Sequence, residues 1–145
     1  MRRRGLIAGW PLLLAPGLGG CFRSGDPQSS LEAAVQRLQD ALEARDADAV
    51  LTLLDPKFRA QDELDREWAR KTMVLMFLRY QQIRVVAVTR RSQVDPAAGR
   101  IGRTEAQVLV TGAQDLIPER AVPYAVELEW WRDGEDWTLR DLRWR

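Results

Sequence analysis

The chain contains no histidine and one cysteine, Cys21. Without histidine the commonest general base and the commonest metal ligand are missing. Ser-His-Asp and Cys-His catalysis and His-ligated metal sites are thereby excluded. One cysteine makes no internal disulfide. There is also no long apolar run. The best candidate, Gly5 to Leu14, is interrupted by Pro11 and is too short to span about 30 Å of hydrocarbon as a helix. A basic stripe is missing as well. The formal charge of +1 hides an asymmetry: residues 1–20 hold three arginines and no acid, and the remainder carries 19 basic against 21 acidic side chains, a net of −2. Nucleic-acid binders draw affinity from neutralising phosphates with clustered positive charge, so no nucleic-acid partner is expected. What the chain does have is a globular composition, 46% hydrophobic and 30% charged, too apolar for disorder. The 125 residues after position 20 suffice for one core without staples.

The first 20 residues read as an export signal. Met1-Arg2-Arg3-Arg4 is a cationic head, and Gly5–Leu14 is a short apolar segment. Leu18-Gly19-Gly20-Cys21 resembles the lipobox of bacterial lipoproteins: an aliphatic residue, two small ones, then cysteine. The resemblance implies diacylglyceryl transfer to the Cys21 thiol, cleavage before it and acylation of the new amine. Three acyl chains anchor stably where one does not. Cys21 is therefore the expected lipid attachment site, and the membrane the first expected partner. Phe22 rather than aspartate follows the cysteine, which favours the periplasmic face of the outer membrane over the inner membrane. Arg3-Arg4 fits a loose twin-arginine pattern, but a plain cationic head is the better reading, since nothing suggests a cofactor to be inserted before export. Residues 21–29 read as a lipidated flexible tether, and residues 30–145 as a single domain.

Within that domain, Ser29-Ser30-Leu31-Glu32 fits a capping box, and Leu31, Val35, Leu38 and Leu42 recur at helical spacing. Asp46 is placed to cap a short second helix, which Asp55-Pro56 ends, with Phe58 just beyond. Residues 62–80 predict a third helix with a broad apolar face, the most buried of the three by pattern. The period then changes to two. Strands are expected over 83–89, 104–111, 122–131 and 137–144, with a turn at 95–99. Asp133-Gly134 marks a hairpin; with those two residues as the loop, Trp130 faces Trp137 and Leu128 faces Leu139. Tyr124, Val126, Leu128 and Trp130 then share one face of the sheet, and Glu127, Glu129 and Trp131 the other. Strict alternation in the last strand would aim Asp141 inward and Leu142 and Trp144 outward. A one-residue bulge near Asp141 would reverse this, and burial of the two apolar side chains favours the bulge.

This order of elements resembles the nuclear-transport-factor-2-like, SnoaL-like or cystatin-like α+β cones. The matching pieces are Leu42–Leu51, Leu54-Asp55-Pro56-Lys57-Phe58, and Tyr124 through Trp144 with its aromatic–Asp–Gly–Trp hairpin. The resemblance implies an α+β fold with N-terminal helices packed on a curved antiparallel sheet of four strands or more, cone-like, with a pocket between the helices and the concave face. Enzymes of this shape, such as ketosteroid isomerase and scytalone dehydratase, line that pocket with Asp, Tyr and His; other members bind ligands or protein partners, and some dimerise through the outer sheet face. The present chain departs by having no His.

Candidate site residues follow, each with two readings. Trp68, Tyr80, Tyr124, Trp130 and Trp137 either line a pocket or fill the core. Asp141 is either an acid or base in an apolar pocket, with Tyr80 or Tyr124 beside it, or an exposed residue at a bulge. Arg90-Arg91 either meets anionic groups or is a solvated strand end. Trp131, on the polar face, is either an interface anchor for a homodimer or envelope partner or is covered by its own chain. No metal or cofactor is expected. The function expected is a lipid-anchored, periplasmic-side protein with a non-catalytic domain that binds a ligand or partner. The alternative is a His-free lyase or isomerase built on Asp141.

Overall fold

The computed structural model describes residues 26–112, residues 115–116 as backbone, and residues 123–145. The expected export signal and Cys21 lie outside the described residues. Helix α1 (Pro27–Glu43) is followed by α2 (Ala47–Leu53), β1 (Leu54–Ala60), α3 (Arg66–Arg79), β2 (Ile83–Val94), β3 (Ile101–Gly112), the two-residue β4 (Asp115–Leu116), β5 (Tyr124–Asp133) and β6 (Asp136–Trp144). The fold is α+β, with helices packed on one face of a sheet ordered β1-β6-β5-β3-β2, and β4 pairing with β3. Neighbouring strands run antiparallel except β1, which lies parallel to β6.

Three helix boundaries follow from caps. Helix α1 starts earlier than the Ser29 capping box suggests. Asp26 is the N-cap: its carboxylate accepts from the Gln28 N–H at 3.1 Å and the Ser29 hydroxyl at 2.7 Å. Pro27 occupies the first turn, where its missing N–H costs nothing. Asp46 caps α2 as expected, accepting from the Ala49 N–H at 3.0 Å. Asp65, not Asp62, caps α3, accepting from the Trp68 N–H at 2.9 Å. Gln61 and Asp62 have φ of 50° and 65°, a left-handed bend that no helix can include.

The burial expected of α3 is corrected. Only Ala69 and Met73 of this helix are buried, and Leu75 and Leu78 are 68% and 79% exposed. Residues 73–78 are continuously apolar, so they circle the helix, and no single packing face can cover them all. The helix that lies on the sheet is α1, with Leu31, Ala34, Val35 and Ala41 buried and its main sheet neighbour in β2.

Residues 54–60 form a strand that the periodicity did not reveal. Pro56 sits within the irregular stretch between the Leu54↔Leu139 and Arg59↔Asp141 pairs, where an edge strand tolerates a proline. In the last hairpin the loop is Gly134-Glu135, between the paired Asp133 and Asp136. Gly134 has φ 61°, the glycine-first two-residue turn that matches strand twist. This shifts the expected register by two: Trp130 pairs with Leu139, and Arg132 with Trp137. A shift of two preserves the face, so Trp130 and Trp137 are still both buried, at 0% and 2% exposure. A bulge lies between the Trp130↔Leu139 and Glu129↔Asp141 pairs, taking up Arg140. It turns Leu142 toward the core and stacks Trp144 on Trp68, with centroids 6.1 Å apart and 13° between planes.

Candidate functional site: an apolar cavity in the cone

The core occupies only part of the space under the helices. Near the last hairpin Leu31, Phe58, Trp130, Trp137 and Leu139 close it. Farther along the same concave face the side chains are small: Ala87 and Val85 on β2, Ala106, Val108 and Val110 on β3, Val126 on β5. Alternation along each strand sends these inward, and they are too short to reach the helices. A cavity of about 310 Å³ remains. Its other walls are Val35, Leu38, Gln39 and Leu42 of α1, Val50 of α2, Leu54 and Phe58 of β1, and Trp68, Ala69, Thr72 and Met73 of α3, with Thr104, Leu128, Leu139 and Leu142 at the sheet. An apolar cavity of this size falls at the lower end of small-molecule sites.

The polar groups in the wall are largely committed. The Thr104 hydroxyl is buried; it accepts from Trp130 Nε1 at 3.2 Å and lies 2.9 Å from the Ser92 hydroxyl. Gln39 Nε2 donates to the Val85 carbonyl at 3.0 Å and to Glu43 Oε1 at 3.3 Å. Among the described residues no Asp, Glu, Tyr or Cys lines the cavity. Its charged group is Arg90, a guanidinium with donors and no acceptor.

The candidates from the sequence are thus dispersed. Trp68 lines the cavity. Trp130 and Trp137 fill the core beside it, and Trp137 Nε1 donates to the Ser30 hydroxyl at 2.8 Å. Tyr80 caps the C-terminus of α3, half-buried, with the Arg79 guanidinium 5.3 Å from its ring centroid. Tyr124 is half-buried at the start of β5, opposite Val108. Asp141 lies on the outer face, opposite Glu129 and Arg59. Arg143 Nε donates to its Oδ2 at 3.2 Å, while its Oδ1 is buried without a partner. Arg143 is held above the usual arginine range, first by its hydrogen bond to Asp141 and then by the charge of Asp62. Asp141 therefore belongs to a band of outer-face charges with Arg103, Glu105, Glu127, Glu129 and Arg143. Trp131 is 40% exposed on that face. Its Nε1 donates to Glu129 Oε1 at 2.9 Å, and the Arg140 guanidinium lies 4.5 Å from its ring centroid.

Sequence reasoning did not find Gln39, Thr104 or the role of Arg90. The signal for the first two was weak: a glutamine on an amphipathic helix, a threonine starting a strand. Arg90 depends on a bulge at Val88, between the Ala87↔Val108 and Thr89↔Gln107 pairs. The bulge moves the inward set from odd to even positions, so that Arg90 and Ser92 follow Ala87 on the concave side and Arg91 faces outward beside Glu105. No cluster of three or more His, Cys, Asp or Glu able to hold a metal ion occurs among the described residues.

No family model matches the chain, and no curated protein matches it in sequence. Solved structures do match in shape. The Bdellovibrio bacteriovorus protein Bd1075 superposes with a TM-score of 0.69 at 12% identity over 81% of this chain, which spans only 40% of that protein's length. An NTF2-like protein of unknown function from Pseudomonas putida KT2440 gives 0.65 at 12% identity, covering 81% of this chain and 84% of its own. A hexachlorocyclohexane dehydrochlorinase from Novosphingobium barchaimii gives 0.60 at 13% identity, covering 82% and 88%. At these identities the likeness shows the fold alone: this chain has the cone-shaped α+β fold of NTF2-like and cystatin-like proteins.

Proposed function

We propose that this protein is a lipoprotein of the bacterial cell envelope whose cone binds a small apolar molecule without transforming it. The observation that carries the binding reading is the apolar cavity of about 310 Å³ between the helices and the concave face. An engineered apolar cavity of about 150 Å³ stays dry and takes up benzene. By proportion, this one accommodates a guest of about a dozen carbon atoms. Support for a non-catalytic role comes from the lining. Proton transfer needs an acid or base within hydrogen-bond reach of the guest, and the described walls offer none. Asp141, on which the enzyme alternative rests, lies on the opposite face of the sheet, with Glu129 and Arg143. Support for the anchor is the run Leu18-Gly19-Gly20-Cys21 after a cationic, apolar leader, and outer-membrane placement follows from Phe22.

Calorimetric titration with 1-decanol tests the binding. One saturable site with a negative heat-capacity change, the mark of apolar burial, is expected, and Ala106→Phe should abolish it by filling the space. Absence of saturable binding, or binding indifferent to Ala106→Phe, contradicts the reading. The anchor is tested by mass spectrometry of the protein from membranes: an acylated Cys21 is expected, with unprocessed precursor from Cys21→Ser. An unmodified Cys21 in the wild type would remove the lipoprotein reading.

A further inference from the structure

We infer that the guest is an apolar acid, held with its anionic group on Arg90 and its hydrocarbon in the cavity; this rests on the binding reading above. The walls are hydrocarbon nearly throughout, so one cation among them stands out. Arg90 lines the cavity from β2 yet remains exposed, which sets its guanidinium at the rim rather than in the depth. Its orientation is fixed from α1: NH1 donates to Gln36 Oε1 at 3.1 Å and to Gln39 Oε1 at 3.2 Å. Both amides are turned that way by their own bonds. Gln36 Nε2 donates to Asp40, and Gln39 Nε2 to Glu43 and the Val85 carbonyl. Asp40 and Glu43 on the same helix are thus engaged through amide nitrogens, and no carboxylate pairs with Arg90 among the described residues.

The outer face differs. There Arg103 pairs with Glu129, Arg140 with Asp55, Arg143 with Asp62 and Asp141, and Arg145 with Glu127. A guanidinium presents five donors in a planar fork, suited to two oxygens of one carboxylate. With NH1 held by two neutral amides, Arg90 retains its remaining donors and a full charge beside the cavity. A neutral hydrocarbon would leave that charge without use. A linear or ring-bearing carboxylic acid of about a dozen heavy atoms fills the volume and meets the charge.

The test compares decanoate with 1-decanol, equal in chain length, on the full chain made by cell-free synthesis, which attaches no lipid. Calorimetry at pH 7.5 should show decanoate binding at least tenfold more tightly than decanol. Arg90→Gln should bring decanoate down to the decanol affinity and leave decanol unchanged, and added salt should weaken decanoate alone. Equal binding of the two in the wild type overturns the acid inference and keeps the apolar-binding reading. A preference for decanoate that survives Arg90→Gln overturns the assignment to Arg90. Binding of neither overturns the cavity reading itself.

Discussion

The two ends of the cone share one sheet and one alternation of side chains, yet one end is filled and the other hollow. At the hairpin end the inward positions carry Trp130, Trp137 and Leu139, with Leu31 and Phe58 against them. Packing there is tight enough that a Cβ added at Gly102 would lie 2.7 Å from Leu31 Cδ2 and 3.3 Å from Trp137 Cζ3. At the other end the same pleat presents alanine and valine, and the buried residues of the second cluster are Ala41, Val50 and Met73. Side-chain volume alone makes the difference. Atoms lining a void lose dispersion partners on one side, so the hollow end contributes less to stability and leaves room for a guest. Stability and the proposed binding site are thereby separated along the sheet.

Substitutions can break that contrast. The largest effect is expected at the filled end: Trp137→Ala should cost roughly 3–5 kcal/mol, the range for truncating a buried large aromatic, and it also removes the bond to Ser30. Urea denaturation checks it, and a loss below about 1 kcal/mol, as at ordinary surface sites, would mean the hairpin end is not the packed one. Next comes Gly102→Ala, where α1 meets the sheet. Overpacking there should cost about 1–3 kcal/mol, read from the same curves. At the hollow end the sign should reverse. Ala106→Leu adds methyl groups where there is space, and cavity filling commonly stabilises by about 0.5–2 kcal/mol. It should raise the denaturation midpoint and weaken decanol binding together.

The smallest effect concerns the start of α1. The Asp26 carboxyl is held below its ordinary value, first by the Ser29 hydroxyl and then by the Gln28 N–H. A carboxyl lowered by folding stabilises the folded state above its unfolded pKa and loses that contribution as pH falls through the folded value. Protection of the first-turn amides against hydrogen exchange should therefore decline on acidification below the usual carboxylate range. Asp26→Asn, which caps without titrating, should remove the pH dependence while leaving Trp137 undisturbed.

Much of this layout was legible in the sequence because it rests on period. Leu31, Val35 and Leu38 repeat at helical spacing, and Tyr124 to Trp130 alternate as a strand. The outward turn of Asp141 also followed, since two apolar side chains beyond it needed burial. Other features depend on contacts that no local pattern encodes. Residues 54–60 became a strand because β6 offered an unpaired edge. Helix α3 could not be oriented from residues 73–78, which are apolar all round. Asp26 took the cap from Ser29 by accepting its hydroxyl. The cavity is the clearest case: Ala106, Val108 and Val110 alternate along one strand, but that the side chains of α1 and α3 stop short of them is a property of the assembled cone. Arg90 was hidden by a single inserted residue at Val88.

The central claim, a filled end and a hollow end on one sheet, is most directly tested with xenon, which enters dry apolar cavities. Crystals of the protein pressurised with xenon should show it bound among Met73, Ala106 and Val108, and none beside Trp130 and Trp137. An empty cavity under xenon pressure, or xenon at the tryptophan end, would contradict the account.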